Sequence, residues 1–198
     1  ARDDAKNHLR FAEPFLKAGL PVYIDKPFAL NATAAAQLYN LEKTSPQIFS
    51  CTALRFAREF QITPEIIGRV GEPNKIYAVV PNSWETYAVH VIEPVVAQLE
   101  KFSKPLAAKI SPINTGRLVS YKYKNSDISF DVFATGGKNS NIEIKLSGQK
   151  GDETLIFSDS FSAFKHTLEL FVEFVKTSKN SIPKDNTLDI VRMIEMGM

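Results

Sequence analysis

A chain of 198 residues, 44% hydrophobic and 23% charged, is long enough for one full domain or for one domain plus part of another, and its composition is ordinary for a globular protein. A net charge of +2 carried by dispersed basic residues excludes the concentrated basic face of a nucleic-acid binder, and no apolar run reaches membrane-spanning length. The single cysteine, Cys51, reads as a small buried strand residue and fits a reducing, cytoplasmic setting.

Taken in chain order, residues 4–18 carry Leu9, Ala12, Phe15 and Leu16 near one helical face, and Gly19 follows as a C-cap. Pro14 inside this run predicts a kink or a late start. Residues 20–28 are a short apolar run bounded by Pro21 and closed by Asp25-Lys26-Pro27, the pattern of a buried parallel strand that delivers Lys26 to a crevice. A second helix follows, with Asn31 or Thr33 as cap and Ala34, Leu38 and Leu41 at helical spacing. Thr44-Ser45-Pro46 ends it, and residues 48–54 read as another buried strand reaching Arg55. Helix and strand alternate as in a doubly wound sheet up to that point and not beyond, which places a domain boundary between residues 54 and 55.

The second part, 55–198, is made of different material. Thr63-Pro64 opens a short helix that stops by Gly71, residues 75–80 form a strand, and residues 87–102 spell a long helix that Pro94 must kink or begin. Alternation then takes over: Val119, Tyr121 and Tyr123; Ile128, Phe130 and Val132; Ile142, Ile144 and Leu146; Leu155 and Phe157. With turns at 125–127 and 149–152, this predicts an antiparallel meander with one buried face. Phe164, Leu168, Phe171, Val172 and Val175 mark an amphipathic helix, and Asn186 can cap a last one through Leu188, Val191 and Ile194. The class is α+β, an open and mostly antiparallel sheet with helices on one face.

Two residues are placed to handle a proton. Lys26 sits at a strand's carboxyl end, where ligands of α/β sheets bind, and His90 lies in the first turns of its predicted helix, off the apolar side. A neutral imidazole can accept a proton near neutral pH. Asn82, Trp84 and Tyr87 offer hydrogen bonds and a stacking face of the kind sugar sites use. Three scattered histidines and one cysteine do not make metal-ligand spacing.

The order His8, Ala12, Ala18-Gly19, a β-run and Asp25-Lys26-Pro27, then Leu54-Arg55-Phe56 and Val89-His90-Val91-Ile92-Glu93, resembles the glucose-fructose oxidoreductase, inositol dehydrogenase and rhizopine-catabolism (Gfo/Idh/MocA) family. The resemblance implies hydride transfer between NAD or NADP and a sugar, sugar acid, cyclitol or similar polyol, with Lys26 and His90 catalytic. It places Arg55, Trp84, Thr86, Tyr87 and Glu93 toward the substrate, and His8, Asp25, Lys26 and Pro27 toward the cofactor. It also implies a homo-oligomer built through the exposed face of the sheet. Two departures stand out: Asp25 replaces the usual glutamate before Lys-Pro, and Thr86 holds the position one turn before the histidine where many members carry an aspartate. The Gly-x-Gly-x-x-Gly turn of such a nucleotide domain is missing, since Gly68-x-x-Gly71 and Gly148-x-x-Gly151 lack its spacing. Residues 1–54 are therefore expected to be the C-terminal remnant of a Rossmann domain in an N-terminally truncated chain, inactive by itself. The alternative is a non-catalytic, dehydrogenase-like protein that binds nucleotide or sugar for regulation or assembly.

Overall fold

The structure is a computed structural model that describes residues 5–198; the opening Ala1–Asp4, where the first helix was predicted to begin, lies outside the described residues. A 3-10 turn at Ala5–Asn7 leads into α1 (His8–Lys17), which starts six residues before Pro14 and carries that proline in its interior, so the start is not late enough to place Pro14 in the first turn. The buried stripe of α1 runs through His8, Ala12 and Leu16, each four residues from the next, and this register turns Phe15 outward, against expectation. Gly19 follows at φ +83°, a conformation open to glycine without steric penalty.

Two short strands, β1 (Val22–Tyr23) and β2 (Ile48–Phe49), pair in parallel, Val22 opposite Ile48 and Tyr23 opposite Phe49. Between them lies α2 (Ala32–Asn40), which settles the cap: the Asn31 side chain accepts from Ala34 N at 2.8 Å. Buried Gln47 ties these elements together, donating from Nε2 to the carbonyls of Leu16 and Leu20. The strand predicted over 48–54 is only two residues long. Thr52 accepts from Leu54 N and turns the chain into a 3-10 segment, Ala53–Phe56, so Arg55 sits on a turn rather than at a strand end.

Beyond it come α3 (Pro64–Val70), capped by Thr63, and β3 (Lys75–Val80), both as expected. The long helix predicted over 87–102 is instead three pieces: α4 (Trp84–Tyr87), α5 (Val89–Gln98) and a 3-10 turn, Glu100–Phe102. Pro94 lies within α5. The remaining strands are β4 (Ala107–Ile113), β5 (Gly116–Lys122), β6 (Ser129–Ala134), β7 (Glu143–Ser147) and β8 (Asp152–Ile156).

Their order is β4-β5-β6-β3-β7-β8, with β3 parallel to β6 and antiparallel to β7. The predicted meander is thus interrupted: β6 and β7 are not neighbours, because the earlier strand β3 inserts between them. Strand β4 was not foreseen because Ala107–Ile113 lacks apolar alternation and carries Pro112, which the edge of a sheet tolerates.

One face of this sheet buries Ile76, Ala78, Val80, Val119, Tyr121, Phe130, Val132, Ile144 and Leu146. They pack with Val91, Ile92, Val95 and Val96 of α5 in the main core. The last helices, α6 (Ser160–Thr177) and α7 (Lys184–Met196), close the molecule. Asn186 is not the cap of α7, which begins after Pro183 and leaves Asn186 on its first turn. Helix α6 buries Ala163, Thr167 and Phe174, while Phe164, Leu168, Val172 and Val175 of its predicted core stripe remain exposed. The small side chains of Ala163 and Thr167 present the flatter face to the molecule. Phe174 joins Phe49 and Cys51 in one cluster, and Val191 of α7 joins Leu16, Ile24 and Ile48 in another, so both C-terminal helices pack on the β1-β2 unit.

The start of α6 is held by Glu59. Its Oε1 accepts from Ser158 N at 2.8 Å, Ser158 Oγ at 2.6 Å and Asp159 N at 2.7 Å. Burial alone would raise this carboxyl, but the Ser158 hydroxyl and the backbone amides hold it down to about 2. A depressed acid contributes stability that is present above its unfolded value of about 4.3 and is lost as pH falls through the folded value near 2. Glu59→Ala should accordingly lower stability by about 1–2 kcal/mol at neutral pH. Thermal midpoints of the variant and the parent should converge as pH is lowered from about 4.3 toward 2.

Candidate active site

The residues of interest gather where the β1-β2 unit meets α4 and α5. Lys26 follows β1, half-buried, across a cis peptide to Pro27. Its Nζ lies 5.8 Å from the centroid of the Tyr87 ring, within cation-π range. The His90 ring meets the same tyrosine edge-on at 5.2 Å. Lys26 and His90, 64 positions apart in sequence, therefore share one aromatic neighbour.

Beneath them runs a chain of polar contacts. His90 Nδ1 is 2.6 Å from Thr52 Oγ1, and the backbone N of Thr52 donates to Glu93 Oε2 at 2.8 Å. Glu93 Oε1 accepts from Arg55 Nη1 at 3.2 Å, and the same Nη1 donates to Asn186 Oδ1 at 2.7 Å. One helical turn of α5 thus grips Thr52 twice, through His90 and through Glu93, and α7 braces the far end through Asn186. Burial pushes the Glu93 carboxyl up, and the Arg55 charge with the hydrogen bonds from Thr52 and Arg55 opposes that rise. Burial raises the Cys51 thiol well above its ordinary value, with the nearby Glu93 adding to it, so Cys51 is no nucleophile.

The structure sorts the residues expected at the site. Lys26, Tyr87 and His90 come together. Arg55 and Glu93 lie close by but are 9% and 3% exposed and spend their polar atoms on each other, on Thr52 and on Asn186. Glu93 is therefore not an exposed helix acid. Trp84 offers no stacking face: it is buried, its Nε1 donates to Ile194 O at 2.9 Å, and a Cβ at Gly197 would overlap its ring. Thr86 Oγ1 pairs with Ser83 Oγ at 3.0 Å.

His8 and Asp25 share a separate hollow of about 180 Å³ with Phe11 and Phe15. His8 is buried rather than on a polar face; its Nδ1 bonds Phe28 O at 3.0 Å, and its Nε2 has no hydrogen-bond partner among the described residues. The crevice lined by Lys26, Phe28, Ser50 and Glu93 is only about 10 Å³. A groove of about 960 Å³ follows the exposed side of α6, and none of Lys26, Tyr87 or His90 lines it. No group of three or more metal-binding side chains occurs among the described residues. Thr52 and Asn186 were missed as members of the site, since a lone threonine in an apolar run and an asparagine in a polar helix start carry no spacing signal.

No family model and no curated protein matches the sequence. Solved structures do match. Myo-inositol 2-dehydrogenase from Lactobacillus plantarum superposes with a TM-score of 0.78 at 14% identity, over 96% of this chain and 73% of that one. UDP-N-acetylglucosamine 3-dehydrogenase from Acidithiobacillus ferrooxidans gives 0.75 at 12%, over 96% and 73%. The chain has the fold of these oxidoreductases. Biliverdin reductase from Synechocystis sp. PCC 6803, solved with biliverdin and NADP+, shares it at a TM-score of 0.73 and 12% identity, over 96% of this chain and 75% of that one. The fold implied by the landmarks at Lys26, Arg55 and His90 is the fold found. Within it, no helix among the described residues is long and apolar enough to cross a membrane.

Proposed function

We propose that the protein is an NAD(P)-dependent oxidoreductase of the Gfo/Idh/MocA family acting on a sugar, sugar acid or cyclitol, with Lys26 and His90 handling the substrate's oxygen. The observation that supports this most directly is the meeting of Lys26 and His90 at Tyr87 in a fold shared with sugar and cyclitol dehydrogenases. In this reading residues 1–54 belong to the nucleotide-binding part and 55–198 to the substrate and assembly part.

The residues present fit only one end of a nicotinamide dinucleotide. The unsatisfied His8 Nε2 and neighbouring Asp25 offer polar atoms in an apolar-walled hollow, but the sequence holds no Gly-rich turn for the pyrophosphate. Hydride chemistry is the nicotinamide's own. What this chain supplies is an ammonium and an imidazole beside a single ring, Tyr87.

Assembly through the outer face of the sheet is part of the same reading. Cross-strand register puts Ser111, Leu118, Phe133, Val79, Glu143 and Ile156 in one row on that face, a mostly apolar band with Ser111 at one edge and Glu143 within it. Two observations favour a second reading, a non-catalytic binder: Thr86 in place of an acid, and the roughly 10 Å³ crevice at Lys26, which holds no sugar without movement. A screen of sugars, sugar acids and cyclitols with saturating NAD or NADP, run on a form of the protein that also carries a Gly-rich nucleotide-binding turn, separates the two. Reduction of either nucleotide with any of them is the expected result; none across the panel leaves the binder.

A further inference from the structure

The bonding of one buried hydroxyl decides which nitrogen of His90 carries hydrogen. Thr52 is fully buried, and a threonine hydroxyl gives one hydrogen bond and accepts up to two. Leu54 N already donates to Thr52 Oγ1 at 3.3 Å, which uses one lone pair. The hydroxyl's own hydrogen must find an acceptor, because a buried donor left without one gives up its bond to water and gains nothing in return. Among the described residues the acceptor within reach is His90 Nδ1, 2.6 Å away. A neutral imidazole that accepts at Nδ1 carries its hydrogen on Nε2.

We propose that Thr52 is a positioning residue that holds His90 as the Nε2–H tautomer, so that His90 donates a hydrogen bond to the substrate's oxygen instead of removing its proton. The assignment rests on the oxidoreductase reading above and deepens it. It moves proton transfer to Lys26: in the reductive direction the Nζ–H bond breaks as an O–H bond forms on the substrate alkoxide, ammonium and alkoxide becoming amine and alcohol. The His90 N–H stays intact and steadies the oxygen throughout. Thr86 fits this division of labour, because its hydroxyl is paired with Ser83 and a hydrogen-bond-donating histidine needs no carboxylate to receive a proton.

The test is nitrogen-15 NMR of the histidine-labelled chain at alkaline pH, where imidazoles are neutral, with the His90 signals assigned by their loss in His90→Gln. The expected spectrum shows a bonded hydrogen on Nε2 and a hydrogen-bonded lone pair on Nδ1. Thr52→Ser should keep that signature, and Thr52→Val should shift the Nδ1 resonance and make the Nδ1–H form detectable. Hydrogen on Nδ1 in the unaltered chain, or an Nδ1 resonance that Thr52→Val leaves unmoved, overturns the proposal. Because the tautomer is read without turnover, a failed substrate screen with the expected spectrum sinks the oxidoreductase reading and not the tautomer, and the reverse pattern sinks only the tautomer.

Discussion

Lys26→Ala, in a form of the protein that also carries the Gly-rich nucleotide-binding turn, should lower kcat/KM for the substrate by about a thousandfold, the middle of the range for loss of a positioned acid or base. Lys26 Nζ lies against the Tyr87 ring that the His90 imidazole also meets. Lys26→Arg should fare nearly as badly, although it keeps the charge and the contact with the ring. A guanidinium does not give up its proton at working pH and cannot complete the transfer. The side chain is only half-buried, so neither variant should change stability by more than about 0.5 kcal/mol. Steady-state kinetics in both directions, paired with thermal midpoints, checks this. Turnover within tenfold of the parent in Lys26→Ala would remove Lys26 from the chemistry, and activity in Lys26→Arg would mean that charge alone is what the site uses.

Much of this arrangement could be read from residue order. The apolar run at β1, though its strand is only Val22–Tyr23 and stops short of Lys26, a cap at Asn31 or Thr33, the Thr63-Pro64 helix start and the alternation in β5, β6 and β7 are local signals, each set by neighbours within a few positions. What stayed hidden was set by partners far along the chain. The insertion of β3 between β6 and β7 is a pairing choice that alternation alone does not encode, because Lys75–Val80 reads the same beside any apolar neighbour. The exposed stripe of α6 shows the reverse case: Phe164, Leu168 and Val175 have the right period, yet Ala163 and Thr167 face the core.

At the site, residue types announced Lys26, Tyr87 and His90, while the meeting of the other two at the Tyr87 ring followed only from coordinates. Trp84 was misread for the same reason. A tryptophan near a histidine in sequence looks like a sugar platform until its indole is found bonded to Ile194 O beneath Gly197. Thr52 had no signal at all, since its importance comes from contacts 38 and 41 positions away, with His90 and Glu93.

The second large effect concerns the pair under the site. Glu93→Ala should destabilise the fold by about 3–5 kcal/mol, because it leaves the Arg55 guanidinium buried with only Asn186 as a side-chain acceptor among the described residues and strips Thr52 N of its partner. Replacing both partners at once, Arg55→Met with Glu93→Leu, should cost far less, within about 2 kcal/mol of the parent, since no charge is then left unpaired in the core. Chemical denaturation of the two singles and the double closes the cycle, and a large coupling between the positions is the expected outcome. A single Glu93→Ala that loses less than about 1 kcal/mol would mean that water reaches Arg55 in solution, and the pair would then be open to ligand. The sign of the difference between single and double variants therefore carries more than a stability figure. A core-like pair makes α5 a rigid mount for His90 and fixes Thr52 opposite it, whereas a pair open to water would return Arg55 and Glu93 to the list of groups able to touch a substrate.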